Sequence, residues 1–196
     1  SFNILEELLG LEAKVVGAIS PLTTDIYSDY KDIQSLCTSN QIPLQKVDNI
    51  NSKETIVWIN SLEPDVIFCM GWARLLKKEL LSTTKLGVVG FHPSELPKNR
   101  GRHPIIWPLV LGLERTASTF FFMDEGADSG DIISQSLIEI LPEDNSRTLY
   151  DKVTNSAIDQ LGSFLPELIS GKIDTKPQNH EISNTWRKRT KVDGYI

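Results

Sequence analysis

Residues 86–135 read LGVVGFHPSELPKNRGRHPIIWPLVLGLERTASTFFFMDEGADSGDIISQ. Gly87-Val88-Val89-Gly90-Phe91 is a short apolar run, the pattern of a strand buried on both faces, and His92 stands where that strand should end. A loop rich in proline, glycine and cations follows, from Pro93 to His103. The pattern over 104–112 predicts a helix, with Pro104 in the first turn, where a missing N–H costs nothing, and Gly112 as its stop. Pro108 inside it removes a hydrogen bond and so shortens or kinks the helix. Residues 117–123 predict a second strand, and 124–131, DEGADSGD, an acidic turn. His92 and Asp128 thus fall at the ends of two strands that can be neighbours. The carboxyl ends of strands are where open α/β sheets bind ligands. A histidine beside a carboxylate suits proton transfer near neutrality, because the carboxylate orients the ring and favours its charged form. The bland alternative is a surface histidine and a solvated acidic turn.

Outward from this stretch, strands alternate with helical patterns. Upstream, 4–9 predict a helix stopped by Gly10, 14–20 a strand, 21–30 a polar turn region, 31–40 a helix and 44–47 a short strand. Ser52 can cap a helix through 62, where Ile56, Ile59 and Leu62 recur at helical spacing and Pro64 follows as a stop. Residues 65–70 form a continuous apolar strand pattern, and 75–81 a helix. Downstream, 132–140 predict a late strand. Asn145 or Ser146 can cap a long helix whose Leu149, Val153, Ile158, Leu161, Leu165 and Leu168 keep to one face, with Pro166 as a bend and Gly171 as its end. Residues 175–196 are polar and basic, and Arg187, Lys188 and Arg189 read as a solvated face. The fold class expected is α/β, an open, mostly parallel sheet with helices on both faces.

The 196 residues carry 20 cations and 26 anions, a formal charge of -6. That length suits one domain, 1–196, with a substantial core. The acidic balance argues against a general nucleic-acid binder, without excluding a local basic patch. Cys37 and Cys69 show no metal spacing and read as free thiols of a reducing compartment. No apolar run is long enough to span a bilayer and no signal-peptide pattern is visible, so the cytoplasm is the expected compartment.

The central stretch resembles the folate-dependent formyltransferase family, which includes methionyl-tRNA, glycinamide ribonucleotide and sugar N-formyltransferases. Its signature is Asn-x-His, a segment ending in Leu-Pro, an Arg-Gly loop, a strand and an Asp-x-Gly turn. His92, Pro93-Ser94-Glu95-Leu96-Pro97, Arg100-Gly101 and Asp128-Ser129-Gly130 match in order and spacing. The resemblance runs from about Ile4 to Ile196. It implies a Rossmann-like fold whose usual first strand is absent here, so the catalytic domain is expected to be trimmed at both ends.

The resemblance further implies transfer of a formyl group from 10-formyltetrahydrofolate to an amine, with no metal required. His92 and Asp128 would be catalytic. Gly90 stands where the family has its catalytic Asn, so another donor must hold the oxyanion, or activity is weak or absent. His92 in its charged form and His103 are the candidates for rescue. Trp72, Ala73, Arg74, Leu75 and Leu76 match the segment that lines the pteridine pocket, whose plain reading is a strand-to-helix turn with core leucines. Asp124, Glu125, Gly126 and Ala127 would border the pocket's other side. Ser94, Lys98, Arg100, Gly101, Arg102 and His103 would bind the acceptor, the cations through phosphate or carboxylate. The wording Arg100-Gly101-Arg102-x-Pro104-x-x-Trp107 is most similar to the sugar enzymes, so the expected acceptor is a nucleotide-linked amino sugar. The rival readings are a methionyl-tRNA formyltransferase and a folate-binding protein without catalysis, with a formyltetrahydrofolate hydrolase as a third.

Overall fold

Alternation along one strand sorts the core into two layers. In the computed structural model, which describes residues 1–23, 31–72 and 74–194, that strand is Val88–His92. Val89 is fully buried on one face, against Ile4 and Leu8 of the first helix and Ala157, Leu161, Phe164, Leu165 and Leu168 of the last. Val88 points to the other face, among Val47, Ile50, Ile59, Leu76 and Leu80. Helices therefore cover both faces, as the continuous apolar run requires.

The order is α1 (Phe2–Gly10), β1 (Ala18–Pro21), α2 (Gln34–Ser39), β2 (Leu44–Val47), α3 (Lys53–Ser61), β3 (Ile67–Cys69), α4 (Lys78–Leu81), β4 (Val88–His92), β5 (Arg100–Gly101), α5 (Ile106–Val110), β6 (Arg115–Phe122), β7 (Ile132–Glu139), α6 (Ser146–Ile169) and β8 (Thr185–Trp186), with two short 3-10 turns near the end. Three strand pairs run parallel: β1 with β2, β3 with β4, and β5 with β8. β6 and β7 extend the central sheet antiparallel, giving the order β3-β4-β6-β7. The β1–β2 pair is not hydrogen-bonded to that sheet, although Ile19 and Ile67 pack on one core cluster. Among the described residues no helix is long and apolar enough to cross a membrane.

Capping chemistry sets the helix starts. Ser52 Oγ accepts from Thr55 N at 3.2 Å. At α6, Asn145 Oδ1 accepts from Arg147 N and Thr148 N, while Thr148 Oγ1 accepts from Asn145 N at 3.0 Å, a reciprocal box that makes Asn145 the cap.

Several elements are shorter than the sequence pattern predicts. β1 starts at Ala18 rather than 14, because its partner β2 begins only at Leu44, opposite Ala18. β3 covers three residues, opposite the start of β4. α4 starts at Lys78 rather than 75. Asn51 donates to Leu75 O at 3.0 Å and accepts from Lys77 N at 2.8 Å, which holds the turn before the helix extended. α5 spans five residues around Pro108 instead of the longer run its pattern suggests. Most of the turn region expected at 21–30 lies outside the described residues, as does Ala73.

Phe120 is the central side chain of the α6 layer. It is fully buried, with its ring 5.0 Å from Phe91 and 4.9 Å from Phe164. Phe120→Ala is expected to lower unfolding stability by about 3–5 kcal/mol, read from a urea melt. A loss below about 1 kcal/mol would show that this layer closes without the ring.

Candidate active site

β4 carries His92 to its carboxyl end, on the same face as Gly90, and β6 lies beside it with Phe121 opposite Gly90 and Thr119 opposite His92. His92 is 5 % exposed. Its Nε2 lies 2.9 Å from Asn99 O. A carbonyl can only accept, so Nε2 carries a proton and Nδ1 is left to face Asp128. The distance from Nδ1 to Asp128 Oδ2 is 3.6 Å. Asp128 sits in the left-handed region, φ 53°, in the turn after β6. Its Oδ2 also accepts from Gly101 N at 2.9 Å. Oδ1 has no partner among the described residues, and the side chain is 22 % exposed. The two residues expected to share a site are therefore brought together, with one carboxylate oxygen open to an incoming group.

Gly101 is a glycine for steric reasons. Its φ is 96°, and a Cβ there would collide with Trp186 O and lie 2.8 Å from Thr185 Cγ2. β5 and β8 pair closely at that point, and the pairing turns the Gly101 N–H toward Asp128. Gly90 is also a packed position. A Cβ on it would meet Met123 Cγ at 2.8 Å and the Phe121 ring at 2.9 Å. The room a side chain at 90 would need is already filled by an aromatic ring and a thioether.

The residues expected to bind the acceptor separate into two groups. Ser94 is wholly buried and its Oγ donates to Lys98 O, so it shapes the loop and offers nothing to a ligand. Arg100 is buried at 8 % exposure; its Nε and Nη2 donate to Gln178 Oε1 at 3.2 and 2.6 Å, and Nη2 lies 3.2 Å from His180 Nδ1. Its fork holds the fold instead of reaching outward. Lys98 and Arg102 are exposed. His103 has its pKa lowered by burial, and then by Arg102, Arg189 and Lys188, so it does not serve as a charged donor near neutrality.

Around the expected heterocycle pocket, Leu76 is buried among Val88 and Leu80 and belongs to the core, whereas Leu75 is 55 % exposed. Arg74 donates to Asp48 O at 2.8 Å. Trp72 and Met123 pack on the same cluster, so the segment after β3 and the residue that opens the turn after β6 share one core layer, although β6 runs antiparallel to β4 and its turn starts opposite Val89. Trp72 Nε1 is buried with no hydrogen-bond partner among the described residues. Asp124, Glu125, Gly126 and Ala127 form an exposed turn closed by Asp124 Oδ1, which accepts from Gly126 N and Ser129 Oγ. Cys37 and Cys69 are free, and burial pushes the Cys69 thiol up to about 12, so neither thiol supplies a nucleophile.

Sequence reasoning missed Gln178. It is 6 % exposed, and its Nε2 donates to Asp128 O at 3.0 Å and Gly130 O at 2.7 Å while its Oε1 takes the Arg100 fork. It also missed Asn184, which holds Asn99 through two bonds of 2.8 and 3.1 Å and so fixes the carbonyl that meets His92. Both lie in the polar stretch after α6, where no periodicity marks a buried residue.

A family model described as formyl transferase matches residues 26–163. The chain is 36 % identical to a methionyl-tRNA formyltransferase of Clostridioides difficile over 76 % of this chain and 48 % of that protein. It spans about half the length of the curated relatives it matches. Among solved structures, a phosphoribosylglycinamide formyltransferase from Bacillus halodurans superposes with a TM-score of 0.73 at 23 % identity, covering 86 % of this chain and 90 % of that one. An N-formyltransferase from Helicobacter canadensis, in complex with folinic acid and dTDP-3-aminofucose, gives 0.72 at 22 % identity over 94 % of this chain and 66 % of that one. At these identities the two superpositions establish a common fold.

Gln178→Met keeps the bulk but strips partners from a buried guanidinium and two carbonyls. It is expected to cost about 1–3 kcal/mol, measured by chemical denaturation. Adding Arg100→Met should recover part of that loss by removing the orphaned charge. Unchanged stability in the single variant would show that water replaces the amide.

Proposed function

This chain belongs to the formyl transferase family, and we propose that it moves a formyl group from 10-formyltetrahydrofolate to the amine of a nucleotide-linked amino sugar. The observation that carries the reading is the approach of His92 Nδ1 to Asp128 Oδ2, 3.6 Å, beside an open Asp128 Oδ1. When bound, 10-formyltetrahydrofolate supplies an activated formyl carbon. Asp128 Oδ1 accepts the proton that the acceptor amine sheds. His92 keeps its Nε2 proton on Asn99 O, so a second proton taken up at Nδ1 faces Asp128 and puts positive charge beside the site. That charge stabilises an oxygen on which negative charge develops. Phe121 and Met123 fill the space at Gly90, so no side-chain amide serves from that position and the charge on His92 carries the task.

The residues after β3 fit a flat heterocycle with a polar edge. Trp72 Nε1 is a buried donor awaiting an acceptor, and Leu75 offers exposed apolar surface. Trp72, Arg74 and Leu75 would border it on one side and Asp124, Glu125, Gly126 and Ala127 on the other.

The Helicobacter canadensis structure holds a dTDP-linked amino sugar, which supports that class of acceptor. The methionyl-tRNA reading is supported by the Clostridioides difficile relative, and the formal charge of -6 weighs against it. Folate binding without catalysis is supported by Gly90.

His92→Asn is expected to lower turnover by about 100- to 10,000-fold, assayed with 10-formyltetrahydrofolate and a panel of nucleotide-linked amino sugars; unchanged turnover would remove His92 from the reaction. Gly90→Asn is expected to bring no gain in rate and to cost about 1–3 kcal/mol of stability from overpacking. A large gain would mean that a missing amide limits the present site. Tetrahydrofolate binding with no transfer by the parent chain would favour the non-catalytic reading.

A further inference from the structure

The residues that read as a solvated basic face in the sequence are organised around one ring. Arg187 and Arg189 both lie over Trp107, with guanidinium carbons 5.2 and 5.1 Å from the ring centroid. Trp107 Nε1 donates to Arg187 O at 3.0 Å, which ties the indole to the backbone of this segment. Asp193 takes the Arg187 fork with both carboxylate oxygens and accepts from Thr190 N. Arg187 and Asp193 neutralise one another and form the frame. Arg189 is placed differently: its Nη2 donates to Asp193 O, a carbonyl, so its charge has no carboxylate against it among the described residues. Lys188 is exposed, and its ammonium has no partner among the described residues.

This cationic pair adjoins the acid–base pair. β8 ends at Trp186 and pairs with Gly101, whose N–H is bonded to Asp128, and Arg102 N donates to Trp186 O at 3.1 Å. The segment 187–189 follows directly. The depressed pKa of His103 has Arg102, Arg189 and Lys188 among its causes, which places these charges around one point.

We propose that exposed Lys188, together with Arg189 held over the Trp107 ring, binds the diphosphate of the acceptor beside the His92–Asp128 pair. The inference rests on the reading that the acceptor is a nucleotide-linked amino sugar. Two charge-carrying side chains on a braced backbone suit a compact dianion. A polynucleotide needs an extended basic face. Here the turn bonded to β5 instead presents exposed Asp124, Glu125 and Asp131, which repel a second run of phosphates.

The test is calorimetric titration of the chain with inorganic pyrophosphate, UDP, dTDP and uncharged initiator tRNA, with tetrahydrofolate titrated in parallel. Pyrophosphate is expected to bind and to compete with the nucleotides. Lys188→Glu combined with Arg189→Glu should weaken pyrophosphate by about 10- to 100-fold, the size of one or two charge-assisted bonds, while tetrahydrofolate affinity stays the same. Arg189→Gln alone, which keeps a planar group over Trp107, should lose about tenfold. Equal pyrophosphate affinity in parent and variants, or no binding of any diphosphate by the parent, overturns the proposal. Tight, strongly salt-dependent tRNA binding lost in the same variants also overturns it. Failure of the parent to bind tetrahydrofolate would instead count against the formyl-transfer reading, leaving patch-dependent diphosphate binding to stand alone.

Discussion

Gln178 satisfies two backbone carbonyls and a guanidinium from one buried side chain. Those partners belong to the turn after β6 and the loop after β4, the two segments that must meet for His92 and Asp128 to share a site. An amide is suited to this because it donates and accepts at once. The turn contains a residue at positive φ, Asp128, a conformation that costs an ordinary side chain and persists when its surroundings hold it. Gln178 grips that turn by the carbonyls of Asp128 and Gly130, so the carboxylate is aimed by the backbone behind it. The stretch that supplies Gln178 lies beyond the family-matched residues, yet the site is assembled through it.

The same loop works from its other side. Asn184 orders Asn99, Asn99 O receives the His92 Nε2 proton, and the Gly101 N–H reaches Asp128. The short run from Asn99 to Gly101 thus fixes both members of the pair through backbone groups, which keep their positions better than long side chains do. The groups left available are few: one open carboxylate oxygen, and one ring nitrogen that faces a carboxylate. Phe121 and Met123 fill the space a side chain at Gly90 would need, so in the reaction proposed above the demand for a donor falls on His92.

Much of this was legible in the residues. The run Val88-Val89 demanded helices on both faces, and it has them. Ser52 capped its helix as its spacing suggested, and β2 kept the bounds its pattern gave. The placement of His92 at a strand end followed from an apolar run, but β6 runs antiparallel to β4, so Asp128 reaches His92 from a turn that starts opposite Val89 and not from a shared carboxyl end. What was not legible depended on pairings far apart in sequence. β5 and β8 are two residues each, too short for any period, and they meet across a long stretch of intervening chain. Arg100 looked like a free fork because nothing local marks its burial under Gln178. Ser94 and Leu76 matched positions at a site but turned inward. Arg187 and Arg189 looked solvated because Trp107, the surface they cover, lies in a helix far earlier in the chain.

In the proposed reaction Asp128 and His92 act together as the proton-handling pair of a formyl transfer. The most direct measurement is the single-turnover rate of transfer from 10-formyltetrahydrofolate to the best nucleotide-linked amino sugar, compared between the parent chain and Asp128→Asn. The amide keeps an acceptor for the Gly101 N–H but cannot take a proton. A fall of about 100- to 10,000-fold is expected, with tetrahydrofolate affinity unchanged. A rate within about twofold of the parent would contradict it, since a tenfold change is only about 1.4 kcal/mol of barrier.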